Sequence, residues 1–210
     1  MKRTLYALGA ALCALLALIV IACAAVTRMG RDGALYARCF HAYAQTEHLG
    51  VGEEAYDGIA DDLASYFSGG DVEFPYFSGK EQTHLADIRA LFSLFDRAWL
   101  LLIPAVLLAF LLLRRPDPKG FFIGCGAAIL LLLALGGWCA LDFNGAFTAL
   151  HHLLFTNDFW LLNPRTDLLI CLMPERMFTA LGLRLGLTAL PAWLLVITAL
   201  GALCARRRKA

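Results

Sequence analysis

A histidine between two carboxylates is the first feature of this sequence whose residue types suit chemistry. Glu81, His84 and Asp87 are spaced three residues apart, so on a helix all three can share one face. A carboxylate beside an imidazole raises the pKa of the ring and can fix its tautomer. The pattern predicts a general base at His84. The competing interpretation is an interfacial histidine in a solvated salt-bridge cluster.

Two adjacent histidines, His151 and His152, open a second polar region of the chain. Neighbouring residues of a helix point about 100° apart, so at most one of the two is expected to face a given site. His84 and His151 come from different polar segments of the chain and can converge on one site. The alternative for each is a hydrogen-bonded imidazole at the membrane interface.

Further polar residues are candidates for supporting roles. Asp158 and Asp167 have the sequence context of turns and helix caps. Arg165 can pair with either carboxylate or bind an anionic lipid group. Tyr76, from an earlier polar segment, is a candidate donor to an oxyanion, with packing as the alternative. Placing polar groups beside apolar spans costs desolvation free energy. Polar groups that are kept there in spite of this cost usually have a functional role.

Several kinds of site have no motif in the chain. It contains neither HExxH, nor a Gly-rich phosphate loop, nor GxSxG. We therefore predict no ATP use, no serine nucleophile, no metal and no other cofactor, and no nucleic-acid partner. A metal site that Glu81, His84 and His151 assemble in space stays an alternative.

The elements that must position these residues are predicted to be membrane spans. The chain has 210 residues, 60% of them hydrophobic, and a mean hydropathy of +0.67. Because the apolar residues lie in long runs, we predict an all-α membrane protein with a single integral membrane domain over residues 1–210. Four transmembrane helices are predicted at about residues 5–26, 98–113, 121–141 and 180–203. The first is expected to be an uncleaved anchor, with a signal peptide as the alternative.

Three basic clusters predict the orientation of the spans. Residues 2–3, 114–119 and 206–209 fall on one side of a four-span topology. Short basic loops stay in the cytoplasm. We therefore predict a multi-pass membrane protein with both termini in the cytoplasm and the active site facing outward.

Two outer segments, residues 27–94 and 142–178, then form a cap of helices and loops. Helical spacing of apolar residues predicts helices at 55–67 and 81–95, the second leading along the interface into the second span. Pro174 and Glu175 are expected to start a short helix.

The sequence does not decide the role of the tryptophan or of the cysteines in this cap. Trp160 fits an aromatic belt at the interface better than a cofactor cage. Cys39 and Cys171 are the cysteines of the outer segments. A disulfide between them is conceivable, but the sequence does not fix their separation.

Several of these motifs occur together in a known family. In chain order they are Glu81-x-x-His84-x-x-Asp87, His151-x-x-x-Phe155-x-Asn157-Asp158-x-Trp160, Pro164-x-x-Asp167 and Pro174-Glu175. Each is weak alone, but their combination resembles the lipoprotein intramolecular transacylase family of Gram-positive bacteria over nearly the whole chain.

The resemblance implies an activity and two site residues. The activity is transfer of the sn-2 acyl chain of a diacylglyceryl-modified lipoprotein to the α-amino group of its N-terminal cysteine, which gives a lyso-form lipoprotein. The two functional histidines of the family map onto His84 and His151. Our hypothesis makes His84 the base, oriented by Glu81 or Asp87. His151 then stabilises the oxyanion or protonates the leaving oxygen, and the two roles can be exchanged.

The resemblance also implies a location in the plasma membrane of a bacterium. The implied partners are the lipoprotein substrate and membrane lipid, and the oligomeric state is not predicted. Two other functions stay open. A non-enzymatic accessory protein would lack a site that joins His84 to His151. A metal-dependent membrane hydrolase would be sensitive to chelators.

Overall fold

Helices make up the regular structure of this protein. The computed structural model describes residues 2–112 and 118–209, and no strand occurs among them. The α-helices of this part of the chain are α1 Lys2–Met29, α2 Gly33–Tyr43, α3 Tyr56–Phe67, α4 Gly79–Leu112, α5 Pro118–Leu141, α6 Phe143–Leu154, α7 Leu168–Leu172 and α8 Glu175–Lys209. Two short 3₁₀ helices, Glu47–Leu49 and Glu53–Ala55, lie between α2 and α3. The prediction of an all-α protein is confirmed.

Within the described residues, three helical stretches are long and apolar enough to cross a membrane, namely Ala11–Met29, Lys119–Leu141 and Glu175–Ala202. They overlap three of the predicted spans, 5–26, 121–141 and 180–203. The predicted span at 98–113 ends outside the described residues, as does most of the basic loop at 114–119. A fourth span therefore stays a prediction.

α4 combines two elements that were predicted as separate helices. The amphipathic helix at 81–95 and the beginning of the span at 98 lie in one helix, Gly79–Leu112. Charged residues between them lower the local hydropathy, but neither Gly nor Pro occurs between residues 80 and 103, so nothing there ends a helix. The prediction of a short helix at Glu175 is wrong for a related reason, because the helix that begins there continues to Lys209.

The chain divides into two compact units. The first, here called the apolar unit, comprises Met1–Ala25, Phe95–Asn144 and Leu185–Ala210. The second, here called the polar unit, comprises Val26–Leu94 and Gly145–Arg184. All of the predicted site residues belong to the polar unit.

Small residues let the helices of the apolar unit approach closely. Its buried cluster consists of Ala14, Ala17, Leu18, Phe121, Cys125, Ala128, Trp193, Ile197 and Leu200. A Cβ placed on Gly124 of α5 would lie 2.3 Å from Cα of Ala11 in α1, so only glycine fits at this crossing. The indole N–H of Trp193 donates to the carbonyl oxygen of Ala14 at 3.0 Å. Close backbone approach and interhelical hydrogen bonds are the usual means of helix association in membranes.

The polar unit has an aromatic core. Asp32 caps α2 by accepting a hydrogen bond from Leu35 N at 2.9 Å. α3 agrees with the helix predicted at 55–67, and its apolar face is buried. Phe67 at the end of α3 packs against Phe92 of α4, with 5.2 Å between ring centroids. α2 was not predicted, since it is short and its composition is mixed.

Cys39 and Cys171 are both buried free thiols. The disulfide considered between them is therefore not formed. Cys171 Sγ instead donates to the carbonyl oxygen of Pro164 at 3.1 Å.

Candidate active site

The first turn of α4 is fixed by a buried glutamate. Glu81 is only 1% exposed. Its Oε2 accepts a hydrogen bond from Ser78 N at 2.7 Å, while Ser78 Oγ accepts one from Glu81 N at 3.4 Å. This is the reciprocal capping box that Ser-x-x-Glu forms at a helix N-terminus. Glu81 Oε1 accepts a third hydrogen bond, from Leu169 N at 2.6 Å.

One carboxylate thus serves the N-termini of two helices, since Leu169 lies in the first turn of α7. Amide N–H groups at a helix start favour a negative charge. The bonds to Ser78 and Leu169 engage both carboxylate oxygens, and no hydrogen bond from Glu81 to His84 occurs among the described residues. Glu81 therefore acts on His84 through the placement of the helix.

His84 lies one turn after Glu81 and is 6% exposed. Its Nδ1 is fully buried and has no hydrogen-bond partner among the residues that the structure describes. A buried polar atom without a partner costs free energy, and an N–H in that position costs more than a lone pair. The neutral tautomer that best fits this environment therefore carries its proton on Nε2.

His151 comes from the last turn of α6, and its ring is oriented by its own helix. Its Nδ1 lies 2.8 Å from the carbonyl oxygen of Phe147, one turn earlier. Because a carbonyl oxygen can only accept, Nδ1 must carry the proton of this bond. In the neutral ring Nε2 is then unprotonated and offers a lone pair.

The structure brings the rings of His84 and His151 together, with 6.0 Å between centroids and 38° between planes. Aromatic side chains surround the pair. Phe155 is 5.1 Å from His84 and 5.6 Å from His151. Phe147 and Trp160 lie 3.9 Å and 4.8 Å from His151. Two imidazoles from different helices thus share one aromatic environment.

Burial keeps both imidazoles neutral near pH 7. Desolvation, with a contribution from His151, lowers the pKa of His84 from 6.5 to about 4, although Asp87 acts in the opposite direction. Desolvation also lowers the pKa of His151, against the effect of its bond to Phe147. The expectation that a neighbouring carboxylate raises the pKa of His84 is therefore wrong in its net direction, because burial outweighs Asp87.

Asp87 holds the loop that follows α6. Its Oδ2 accepts a hydrogen bond from Asn157 Nδ2 at 2.9 Å. Asn157 Oδ1 in turn accepts one from Phe159 N at 3.1 Å, which forms a local turn. The Lys80 side chain donates to the carbonyl oxygen of Leu161 in the same loop. Residues 155–163, here called the α6–α7 loop, are thus tied to α4 at two points.

Four predicted supporting residues make no hydrogen bond to either histidine within the described part of the chain. Tyr76 donates to Asp62 Oδ2 at 2.7 Å, and burial with this bond raises the pKa of the phenol. Asp167 accepts from Asn163 N at 2.7 Å and from Thr166 Oγ1 at 3.1 Å, so its role is in a turn. Asp158 and Arg165 are exposed. Within the described residues, no ion pair joins Arg165 to Asp158 or Asp167.

Two neighbours of His151 were missed as site residues. Phe147 and Phe155 flank His151 at a spacing of four residues, and this i, i+4 pattern was the available signal. Trp160 was assigned to an interfacial belt, yet it is 5% exposed and lies against His151. Its buried position depends on the path of the α6–α7 loop, which the sequence pattern does not specify.

Side chains suited to a metal ion do not cluster in the polar unit. Over residues 2–112 and 118–209, no group of three or more His, Cys, Asp or Glu side chains is arranged to hold one. The Glu81 carboxylate, a member of the alternative metal site, is already used by two backbone N–H groups.

Comparison with known proteins identifies the family. A family model described as "Lipoprotein intramolecular transacylase Lit" matches residues 9–178. The chain belongs to the lipoprotein intramolecular transacylase family. It is accordingly a membrane-integral enzyme of the transacylase class, and the interpretation as a non-enzymatic accessory protein is set aside. No curated protein sequence matches the chain.

Solved structures of a family member share the fold. The in meso structure of Lit from Bacillus cereus superposes with a TM-score of 0.73 at 19% identity, over 100% of this chain and 99% of that chain. Two variants of the same Bacillus cereus protein, with a histidine replaced by alanine or by arginine, each give a TM-score of 0.69 at 20% identity. These matches cover 100% and 99% of this chain, and 96% and 94% of those chains.

Proposed function

We propose that this transacylase moves the sn-2 acyl chain of a diacylglyceryl-modified lipoprotein to the α-amino group of the N-terminal cysteine, with His151 as the general base and His84 as the oxyanion donor. The observation that carries the proposal is a pair of neutral imidazoles, His84 buried and His151 partly buried, with 6.0 Å between ring centroids. The Nδ1–H of His151 is committed to a backbone carbonyl. This division of roles is the reverse of the one expected from the sequence, which left their exchange open.

The tautomer of His151 supports its role as the base. With the proton on Nδ1, the lone pair of Nε2 can accept a proton from the attacking amine. An α-amino group has a pKa of about 8, and the nitrogen becomes far more acidic once it bonds to the carbonyl carbon. A neutral imidazole can therefore remove its proton at that stage. The aromatic faces of Phe147 and Trp160 favour the imidazolium that forms briefly, as a cation beside a π face is stabilised.

His84 is better suited to donate than to accept a proton. Its pKa of about 4 makes it a weak base and keeps it neutral at the pH of the cell surface. In the tautomer with the proton on Nε2, the ring offers one N–H to an oxygen that gains negative charge. Neutral imidazoles whose pKa is held low serve as such electrophiles in other enzymes.

The reaction balances without a nucleotide, an acyl-enzyme or a second substrate. The amine nitrogen attacks the carbonyl carbon of the sn-2 ester, and His84 stabilises the oxyanion. His151 takes the amine proton and returns it to the glyceryl oxygen as the C–O bond breaks. An ester is exchanged for a more stable amide, so the transfer runs downhill. General base catalysis contributes about 10²–10⁴-fold and one oxyanion donor about 10²–10³-fold.

Orientation supplies much of the remaining acceleration, because donor and acceptor are parts of one molecule. The aromatic rings around the histidines exclude water, which would otherwise compete with the amine for the ester. We place this site on the outer side of the plasma membrane, on the support of the three basic clusters at 2–3, 114–119 and 206–209.

The test is to express the protein in cells that have no other N-acylating activity and to examine the lipoprotein N-termini. The substrate and product are isomers, so intact mass cannot separate them. Fragmentation of the N-terminal peptide by tandem mass spectrometry, with labelling of free amines, distinguishes the two forms. We expect N-acylated, lyso-form lipoprotein. A free N-terminal amine with both acyl chains still on glycerol, in cells that express the protein well, would refute the proposal.

A further inference from the structure

Trp160 carries a polar atom that the proposed mechanism does not use. Its side chain is 5% exposed, and its Nε1 is fully buried with no hydrogen-bond partner among the described residues. The ring lies 4.8 Å from His151 and 5.1 Å from His152 between centroids. The other buried side-chain polar atom in this condition, within the same described ranges, is His84 Nδ1. Both belong to rings that lie beside His151.

An indole N–H that is buried without a partner is costly. It can only donate, and leaving it unsatisfied loses the hydrogen bond that it would make to water. Buried indoles therefore usually find an acceptor. Trp193 of the apolar unit shows the ordinary case, since its Nε1–H donates to the carbonyl oxygen of Ala14 at 3.0 Å. A phenylalanine at position 160 would fill an apolar space without this cost.

The position of Trp160 is fixed by the backbone around it. Leu162 N donates to the carbonyl oxygen of Trp160 at 2.9 Å, and Leu161 N donates to that of Asp158 at 3.1 Å. The Lys80 side chain donates to the carbonyl oxygen of Leu161. The indole is therefore held beside His151 with its N–H unsatisfied, which is the condition of a donor that meets its acceptor only when substrate binds.

We propose that the indole N–H of Trp160 is a second oxyanion donor, which binds the carbonyl oxygen of the ester that His151 and His84 act upon. The inference rests on the proposed function. It completes a site in which two neutral N–H donors, one from α4 and one from the α6–α7 loop, flank the base.

The acceptor follows from the chemistry of the substrate beside His151. The attacking nitrogen uses its lone pair to form the bond to carbon, so it has none for the indole until the base has removed a proton. The carbonyl oxygen has free lone pairs and becomes negative in the tetrahedral intermediate. A donor aimed at this oxygen binds the transition state more strongly than the substrate. The hydrogen bond that the indole lacks within the protein is thus formed at the step that it accelerates.

The decisive variant replaces the indole of Trp160 with benzothiophene, a ring of the same shape in which sulfur stands where the N–H was. The matched control is the same replacement at Trp193, whose N–H is already bonded. Rates are measured with purified protein on a synthetic diacylglyceryl lipopeptide, and the melting temperature is measured in the same detergent. Trp160→Phe, which also lacks the N–H, serves if the analogue is incorporated poorly.

We expect opposite effects at the two positions. At Trp160 the melting temperature stays the same or rises, while the rate at saturating substrate falls about 10²-fold with little change in KM. At Trp193 the melting temperature falls and the rate below that temperature is retained. A structural role for Trp160 would instead lower stability and rate together.

Infrared spectroscopy gives a second measurement. A lipopeptide whose N-terminal amine is acetylated cannot react but keeps its ester, and a ¹³C label isolates that carbonyl. We expect its stretching frequency to be lower in the wild-type protein than in the benzothiophene variant.

Three results would overturn the inference: an unchanged rate in the variant, a loss confined to KM, or a carbonyl frequency that does not depend on the indole N–H. Failure of the wild-type protein to form any N-acyl product would instead refute the proposed function itself.

Discussion

At the residue scale, a single hydrogen bond distinguishes the environments of two chemically identical side chains, and the proposed division of roles rests on it. The bond from His151 Nδ1 to the Phe147 carbonyl oxygen leaves the lone pair on Nε2. His84 has no such partner for its Nδ1 among the described residues, so its proton is better placed on Nε2. One imidazole is thereby prepared to accept a proton and the other to donate a hydrogen bond.

Glutamine substitutions distinguish these roles. A side-chain amide can replace an N–H donor but cannot act as a base. We expect His84→Gln to keep a rate at least 10-fold above that of His84→Ala, since a donor contributes about 10²–10³-fold in all. His151→Gln should be as inactive as His151→Ala. The measurement is the rate of N-acyl lipopeptide formation by protein of verified melting temperature.

The reverse ranking, with activity rescued at His151 and not at His84, would return the base to His84. Equal activity of all four variants and the wild-type protein would reject a mechanism that uses two imidazoles.

The lowered histidine pKa values also predict how stability depends on pH. The pKa of His84 falls from 6.5 to about 4 in the folded protein, so between these values the unfolded chain binds more protons than the folded one. The free energy of unfolding therefore decreases as pH falls from about 6.5 to 4, by up to about 3 kcal/mol from this group. The lowered pKa of His151 acts in the same direction.

Melting temperatures in detergent at pH 7, 5.5 and 4 test this effect. Protonation of carboxylates also destabilises the protein in acid, so the comparison is between variants. His84→Gln should lose less stability than the wild-type protein over this range. Identical slopes for wild type and His84→Gln would contradict the assignment of a buried, neutral His84.

Residue types and spacing made His84 and His151 candidates without deciding between a site and an interfacial role, and the family resemblance then assigned both to the site. The structure brings their rings to 6.0 Å between centroids, and their catalytic role stays a prediction. Residue type and spacing did not predict that Trp160 and Phe155 lie beside the two histidines. Aromatic residues occur in belts, cores and active sites alike, and only the path of the α6–α7 loop decides among these environments.

At the scale of elements, Glu81 fixes the first turn of α4, which leads to His84. Its carboxylate accepts from Ser78 N and from Leu169 N, and it thereby joins the start of α4 to the start of α7. Sequence spacing suggested that Glu81 orients the ring of His84 directly. The spacing of Ser78 and Glu81 is that of a capping box, which local sequence can indicate. The hydrogen bond with Leu169, 88 residues later, depends on tertiary structure, so local sequence does not predict it.

Glu81→Ala should cost about 2–4 kcal/mol of unfolding free energy, because it leaves the buried N–H of Leu169 without an acceptor and removes a helix cap. Glu81→Gln should cost less, since the amide oxygen can keep one of the two bonds. Ser78→Ala removes only the longer half of the capping box and should cost about 1 kcal/mol or less. Titration with a denaturing detergent, followed by circular dichroism, gives the ranking.

We expect the rate of acyl transfer to fall in the same order, because His84 lies one turn beyond the cap. If Glu81→Ala kept full stability but lost activity, Glu81 would act in the chemistry and not through the helix.

At the scale of the whole molecule, hydropathy located membrane helices well and helix boundaries less well. Three predicted spans overlap the stretches Ala11–Met29, Lys119–Leu141 and Glu175–Ala202, which are long and apolar enough to cross a membrane. α4 and α8 each begin within the polar unit and continue as one helix into the apolar unit. Hydropathy changes at the edge of the hydrocarbon region, whereas a helix ends only where its backbone is interrupted. For this reason the sequence predicted the spans but not the lengths of α4 and α8.

The orientation of the chain in the membrane is the remaining large-scale prediction. The three basic clusters place residues 2–3, 114–119 and 206–209 in the cytoplasm, and the histidine pair then faces outward, where lipoprotein N-termini lie. In a variant with its seven native cysteines replaced, single cysteines report the side of the membrane. Glu54→Cys lies in an exposed 3₁₀ turn of the polar unit, and Lys119→Cys lies at the exposed start of α5.

A membrane-impermeant maleimide applied to intact protoplasts should modify Glu54→Cys and leave Lys119→Cys unmodified until the cells are lysed. Both variants must first be shown to retain transacylation. Labelling of both positions in intact cells would place them on the same side of the membrane, and labelling of Lys119→Cys alone would invert the topology. The first result would contradict the predicted span at 98–113, because that span would separate residues 54 and 119. The second result would contradict the prediction that the site faces outward.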